Sequence, residues 1–523
     1  MELWSGAEVP VSLLLVSLTL ILLYVYSTWP FGQLQSLGIS GPPPQPFFGN
    51  QRQLASKGQF YALLEWSKTY GRVYGIYVGR QPMIVVSDLD ILKEVMVKDF
   101  GHFTDRYNQT GDVMEEVVKK GVFFAEGADW KRIRNIITPT FSAGKLKMME
   151  HFINRCSVDL TANLETLAQR GGKVDVKEYF GAYAMDVITG TAFGVRVNSQ
   201  EDLNEPLVTN MKKMMGMAGR FNFLIKLYLI FPWLAPGIRF LRNIGLLVSK
   251  NWVSVIFLID STFVMIDQRK AEKNEKRPVD FLQLLINAEA SDGSGAPVGS
   301  SKRLTRVEIA GQIFVFYVAA YETTSTTLQY LAYNLAMHPG VQDKVVMEIG
   351  QQLGEEDPSY ENVAKLKYME QTINETFRLF PPVPTVTRMA SETVRIKGVT
   401  IPKGCGVLVP ICDILRDPQH FPDPEAFNPD RFSSANKTAM DPLAFIPFGY
   451  GPRLCIGQRL ALLEIKIAMV HVLRKMRFVK TPDLPEKVKF RATGGLLPPA
   501  TPLMVKTVIR EKDHVTHDAA TKE

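Results

Sequence analysis

The chain has 523 residues, 46% of them hydrophobic and 22% charged, which excludes a mainly disordered or fibrous polypeptide and suits one large core. Its net charge of +7 suits an anionic membrane or an acidic protein partner. Nucleic acid is excluded as a partner, because there is no dense Lys/Arg block, zinc-ligand spacing or aromatic RNA-binding signature.

The first predicted element is an apolar helix. Val9 to Phe31 holds 23 residues without a charge, enough to cross a bilayer. Glu2 and Glu8 precede it with no Lys or Arg, and no small-residue cleavage site follows, so residues 1–31 read as an uncleaved anchor and not a signal peptide. The first basic residue after the span is Arg52, which fits an outside N-terminus and a cytosolic body loosely. Gly41-Pro42-Pro43-Pro44-Gln45-Pro46 stiffens a connector over residues 32–50. No repeat, low-complexity tract or long polar linker divides residues 51–510, which are expected to form one domain, and residues 511–523 make a polar tail. Four cysteines, Cys156, Cys405, Cys412 and Cys455, do not make a disulfide framework in so long a chain and point to a reducing compartment.

Within the body, Trp130 and Arg134 stand at i, i+4, which sets an indole N–H and a guanidinium on one side of a helix as a clamp for an anion. Phe221 to Leu234 is apolar but too short to span a bilayer, and Lys226 and Pro232 interrupt it. It reads either as a lid dipping into lipid or as a core helix pair. The longest helical signal opens with a capping box, Thr305 with Glu308, and runs to Met337. In its middle Glu322 precedes five hydroxyl residues, Thr323 to Thr327. Such side chains compete for backbone hydrogen bonds and are poor material for a helix interior. Glu322 is a carboxylate in an apolar setting, which is costly unless paired or used. Glu375 and Arg378 lie three apart in Tyr368–Phe380 and share a helix face.

The most informative stretch comes last. Phe448-Gly449-Tyr450-Gly451-Pro452-Arg453-Leu454-Cys455-Ile456-Gly457 precedes an amphipathic run, Gln458 to Met476. A thiolate at a helix N-terminus is favoured by the macrodipole and by unpaired N–H groups. Glycines let the backbone approach a large flat partner, and Arg453 offers a cation to an anionic group on it. A haem with cysteine as its axial ligand needs all three features.

This loop resembles the haem-binding loop of the cytochrome P-450 family, Phe-x-x-Gly-x-Arg-x-Cys-x-Gly, at Phe448, Gly451, Arg453, Cys455 and Gly457. Residues 139–146 and 279–284 look like the drug- and steroid-oxidising family 3 of microsomal cytochromes P-450, to which thromboxane synthase is related. The resemblance implies a mainly α (α+β) fold, with a helical body, a small β-rich region and one N-terminal transmembrane helix. It implies haem b, with Cys455 as the iron ligand and Arg453, Trp130, Arg134, Arg388, Phe448 and Gly457 around it. Thr323 and Glu322 match the acid–alcohol pair that handles oxygen and protons, although Ala320 stands where the family usually has Gly. Glu375 and Arg378, joined by Arg431, match a buried structural network. Leu415 stands where many relatives carry His.

By the same resemblance the substrate-contact segments supply Phe103, Phe123, Phe124, Phe316, Ala319, Val383, Leu496 and Leu497, which predicts a lipophilic substrate such as a steroid, fatty acid or xenobiotic. The implied reaction inserts one atom of O2 using electrons from NADPH through NADPH–cytochrome P-450 reductase, with cytochrome b5 as a further partner. The implied place is the endoplasmic reticulum membrane, with the catalytic body in the cytosol. Lys131, Arg132, Lys475 and Arg477 are the candidate docking cations. Two other readings stand beside this one. A thromboxane-synthase-like isomerase would act on an endoperoxide without NADPH, but that enzyme lacks the threonine present here as Thr323. A non-catalytic haem or lipid binder would have no use for Glu322-Thr323.

Overall fold

Apolar positions at helical period dominate the chain, and helices account for most of the body. The structure is a computed structural model describing residues 11–108, 114–216, 223–243, 250–272, 280–289, 303–491 and 495–510. Val9 and Pro10 of the anchor, Phe221 and Asn222 of the lid segment, and the tail from 511 lie outside the described residues.

One helix, Arg306–Met337, crosses the centre with most of its side chains buried. The capping box starts it: Thr305 Oγ1 accepts from Glu308 N at 3.2 Å, and Glu308 accepts from Thr305 N at 2.8 Å. Helix Val176–Phe193 packs along it. Their approach depends on Gly181, where a Cβ would meet the Tyr321 hydroxyl at 3.0 Å. Helix Ala143–Gln169 lies between Val176–Phe193 and Gln458–Lys475, and these helices share the largest apolar core.

Nine strands form the small β region among the described residues: β1 Val73–Val78, β2 Gln81–Val86, β3 Lys173–Asp175, β4 Val386–Met389, β5 Val394–Ile396, β6 Val399–Ile401, β7 Gly406–Val409, β8 Met476–Val479 and β9 Met504–Ile509. The main sheet has the order β1-β2-β7-β4, with only the β2–β7 pair parallel. Strands β3, β9 and β8 form a second sheet, and β5–β6 a hairpin. Its two-residue turn, Lys397-Gly398, has positive φ at both positions, as a tight right-twisted hairpin requires. The expected mainly α fold with a small β region is the fold observed.

The anchor helix, Val11–Thr28, is apolar and exposed along most of its length, and the candidate span it opens runs to Ser36. The segment that follows is fastened to β1. Tyr77 donates its hydroxyl hydrogen to Phe31 O at 3.0 Å and accepts from Leu34 N at 3.2 Å. Farther along, a Cβ on Gly41 would lie 1.9 Å from Gly75 O, so only glycine lets the proline connector lie this close to the strand. The lid segment forms helix Phe223–Ile230 and the turn Pro232–Leu234, followed by helix Ala235–Asn243. Ala235 and Ile238 are buried with Leu227, Tyr228 and Leu234 in a satellite cluster apart from the main cores, while Trp233 and Phe240 are exposed.

Candidate active site

Two left-handed glycines shape the cysteine loop. Gly449 and Gly451 have φ of +76° and +73°, and a Cβ on Gly451 would meet Met96 O at 2.0 Å. Gly457 differs, since a Cβ there meets only Phe141 Cε1 at 4.0 Å. Cys455 N donates to Phe448 O at 3.0 Å, which closes the loop, and the Phe448 ring packs edge-on against Phe377, 4.9 Å between centroids. The following helix begins at Gln458 and ends at Lys475; Met476 opens β8 instead of closing the helix. Cys455 lies deep in the protein, yet its side chain opens onto accessible space. Burial pushes its thiol up, opposed by the N–H groups of Gly457 and Gln458 and by the guanidiniums of Arg134 and Arg106.

Four arginines gather on this cysteine. Arg453 donates to Ala125 O at 2.8 Å and lies 4.4 Å from the centroid of the Trp130 ring. Arg134 donates to Leu454 O at 2.8 Å. Arg388, on β4, is 1% exposed and among the described residues donates only to its neighbour Thr387 O at 2.8 Å. Arg106 lies 4.1 Å from the centroid of the Phe123 ring. Burial lowers all four from the usual guanidinium range, Arg388 and Arg453 to about 10. At Arg106 the fields of Arg388, Arg453 and Arg134 add to the drop. Asp105, 3.7 Å from Arg453, is the one carboxylate within 4 Å of these four guanidiniums among the described residues.

Arginine stays protonated in proteins, so the cluster carries unmatched positive charge. Among the described residues, the Nε atoms of Arg106, Arg388 and Arg453 are buried without a hydrogen-bond partner. A haem edge with two carboxylates beside a thiolate-bound iron answers both needs, and the residues fit that group. Trp130 contributes its ring face to Arg453, where the spacing pointed to its indole N–H. Arg106 was missed by sequence reasoning.

On the long helix, Ala319 is exposed and Thr323 half-buried, whereas Val315 and Thr327 on the same stripe are buried. The helix thus opens for about one turn. Thr323 donates to Ala319 O at 2.6 Å, and Ser325 and Thr327 make the same back-bond one turn up, at 2.5 and 2.8 Å. Three of the five hydroxyls are therefore satisfied by carbonyls of their own helix. Glu322 is paired: Lys177 Nζ lies 3.0 Å from it and also reaches Ser325 Oγ at 2.9 Å and Thr326 Oγ1 at 2.5 Å. Burial lowers the Lys177 ammonium from its usual range, and Glu322 opposes that shift. Lys177 is a second residue the sequence did not single out.

Glu375, Arg378 and Arg431 meet in the core. Arg378 donates to both Glu375 oxygens, at 2.7 and 2.9 Å, and to three carbonyls, Leu415, Pro424 and Ala426. Arg431 Nε lies 3.4 Å from Glu375. Leu415 itself is fully buried in apolar surroundings.

The structure corrects several expected roles. Phe103 is fully buried in the core beside the main sheet, with Ile84 and Val407. Phe316 is packed against Phe281 and Phe141, at 4.4 and 5.6 Å between centroids. Leu497 is 2% exposed, and its carbonyl accepts from the Tyr330 hydroxyl at 2.6 Å. These three side chains are packing, not pocket wall. Phe123, Phe124, Ala319, Val383 and Leu496 keep accessible surface. Arg132 is not a free docking cation either. It pairs with Glu308, bonds Asp129 at 2.9 Å and Arg303 O at 2.6 Å, and so ties helix Gly127–Ile137 to the start of the long helix.

Comparison with known proteins agrees with this geometry. The chain matches the family described as Cytochrome P450 over residues 39–507. It is 39% identical over 506 residues to cytochrome P450 3A30 of Fundulus heteroclitus, covering 95% of this chain and 98% of that protein. Cytochrome P450 3A7 of Homo sapiens is 39% identical over 508 residues, with 95% and 97% covered. Cytochrome P450 3A6 of Oryctolagus cuniculus is 38% identical over 504 residues, with the same coverage. The match runs unbroken from the connector into the last strand and includes the cysteine loop, so the chain belongs to the cytochrome P450 family of haem-iron monooxygenases, which use O2 and NADPH-derived electrons.

Proposed function

We propose that this protein is a membrane-tethered monooxygenase of lipophilic molecules, supplied with electrons by an NADPH-dependent flavoprotein reductase at the endoplasmic reticulum. The observation that carries this reading is the cluster of Arg106, Arg134, Arg388 and Arg453 around Cys455, with buried guanidinium nitrogens left unpartnered. When bound, haem would supply an iron that activates oxygen, and Cys455 is the residue whose sulfur would hold it.

The protein's own groups do the rest. The four guanidiniums hold the two carboxylates and fix the orientation of the ring system, with Trp130 backing Arg453. The Gly457 and Gln458 N–H groups steady negative charge on the Cys455 sulfur. Thr323 stands at the opening of the long helix, where its hydroxyl, donated to Ala319 O here, would turn to donate a hydrogen bond to bound oxygen. Glu322 is the adjacent carboxylate that would pass protons on from water, and Lys177 keeps it in place. Phe123, Phe124, Val383 and Leu496 give an apolar wall for a steroid, fatty acid or xenobiotic.

An exposed apolar helix at the N-terminus supports a tether, and exposed Trp233 and Phe240 support a lid that rests in lipid. Exposed Lys131 and Lys475 remain as docking cations for an acidic reductase face, with cytochrome b5 as a further donor.

The test is the carbon-monoxide spectrum of the reduced protein, followed by product profiling with reductase and NADPH. The thiolate spectrum is expected in the wild type and absent in Cys455→Ser. Product from an endoperoxide without NADPH would favour the isomerase. An intact haem spectrum without substrate-dependent NADPH consumption would favour a binder.

A further inference from the structure

We infer that the last turn of the anchor helix is a working part of the substrate entrance: Tyr26 pins the end of the lid, so the membrane span sets how fast that lid opens. This rests on reading residues 223–234 as the lid over the entrance.

Three segments remote in sequence meet at the Tyr26 ring. Its hydroxyl donates to Ile230 O at 3.2 Å, the last carbonyl of the lid helix. The ring stacks on Phe231, centroids 5.8 Å apart and 13° between planes, and Phe231 in turn meets Trp233 edge-on at 5.9 Å. The Arg80 guanidinium, from the turn between β1 and β2, lies 3.7 Å from the Tyr26 centroid. Its Nε is buried and has no hydrogen-bond partner among the described residues, and the Tyr26 ring face covers that cation. The same turn touches the lid directly, since a Cβ on Gly79 would lie 2.9 Å from Leu229 O.

The anchor is also held where it leaves the membrane. Most of its side chains are exposed, but Ser27 is fully buried and Leu23, Tyr26 and Thr28 are half-buried, which marks one face docked on the body. Beyond them, Phe31 and Leu34 are bonded to Tyr77 of β1. A tether fixed at both points behaves as a strut, and a strut can hold a lid where a loose leader could not.

Raising the lid breaks the hydrogen bond, the ring stack and the packing on Arg80 together. These contacts are expected to favour the closed lid by about tenfold to a hundredfold. The test uses full-length holoenzyme in phosphatidylcholine nanodiscs. Hydrogen exchange is read on peptides covering 223–234, and the dissociation rate of a lipophilic imidazole is read from its haem absorbance. Tyr26→Ala should accelerate both by about tenfold or more. Tyr26→Phe, which keeps the ring, and Arg80→Met should have smaller effects. Tyr24→Ala, which removes an exposed ring two residues earlier in the same helix, should change neither. An unaltered carbon-monoxide spectrum verifies that each variant is folded. Exchange unchanged in Tyr26→Ala overturns the latch and leaves the entrance reading standing. Faster exchange with an unchanged dissociation rate keeps Tyr26 as a pin but overturns the entrance reading, and with it the role of the span there, because the lid would then not gate the entrance. An equal effect from Tyr24→Ala overturns the specific role of Tyr26.

Discussion

Arg106 lies over Phe123 within the fields of Arg388, Arg453 and Arg134. A charge-assisted hydrogen bond contributes about 1.5–3 kcal/mol. Arg106→Leu holoprotein is therefore expected to pass its haem to apomyoglobin about tenfold faster than the wild type; an unchanged transfer rate would make Arg106 a packing residue only. Nothing local marks this arginine, which stands alone in an aromatic stretch between Phe103 and Tyr107 and gains its meaning from β4 and the cysteine loop folding over it. Arg134 and Arg453 were legible because spacing or a motif carried them. Glu464 shows the opposite situation, a charge type with no site to explain it. It is 3% exposed, its Oε1 has no hydrogen-bond partner among the described residues, and burial pushes its carboxyl well above the ordinary 4.5. The folded protein thus binds this proton more tightly than the unfolded chain. The resulting stabilisation is full below about pH 4.5 and is lost as pH rises towards the folded value. Between about pH 5 and pH 8 the unfolding midpoint of the wild type should fall relative to Glu464→Gln, whose amide does not titrate. Parallel curves for the two proteins would show that the carboxyl reaches water.

Among the elements, the helix carrying Glu375 and Arg378 bears most directly on whether the haem region forms. Both side chains are fully buried, and Asn428 N and Arg431 add to the carboxylate's partners. Removing one member of such a pair costs about 3–5 kcal/mol, since the other is left charged and unmatched. Glu375→Ala is therefore expected to yield little haem-loaded protein even with excess haem, whereas loss of the half-exposed pair Arg477 to Asp343 should change the yield little. Normal loading of Glu375→Ala would show that the network is dispensable. This helix and the long one were legible in the sequence because caps and apolar periodicity are local signals. The partner of Glu322 was not, because Lys177 comes from 145 residues earlier on another helix. Phe316 and Leu497 were misread for a related reason: an apolar residue near a pocket and one in a core look alike until the packing is seen.

At the scale of the whole molecule, the proposed docking of an electron donor rests on charge. Lys131 is exposed and Lys475 is 62% exposed, with only a loose 3.8 Å pairing to Glu165. Reversing both to Glu should weaken coupling to the reductase, and most strongly at low salt, because screening lengths fall from about 30 Å at 0.01 M to about 8 Å at 0.15 M. Turnover that stays the same at every ionic strength would remove these lysines from the docking face. Arg132→Glu should instead lower stability at all salt concentrations by repelling Glu308. The close seating of Gly41 on Gly75 has a consequence of its own. A body hung from a swivel would wander through every tilt and leave its doorway in water much of the time. Here the stem is moulded to the sheet, so in the proposed tethered arrangement the doorway would keep one bearing relative to the bilayer and would take greasy molecules from it without an aqueous crossing.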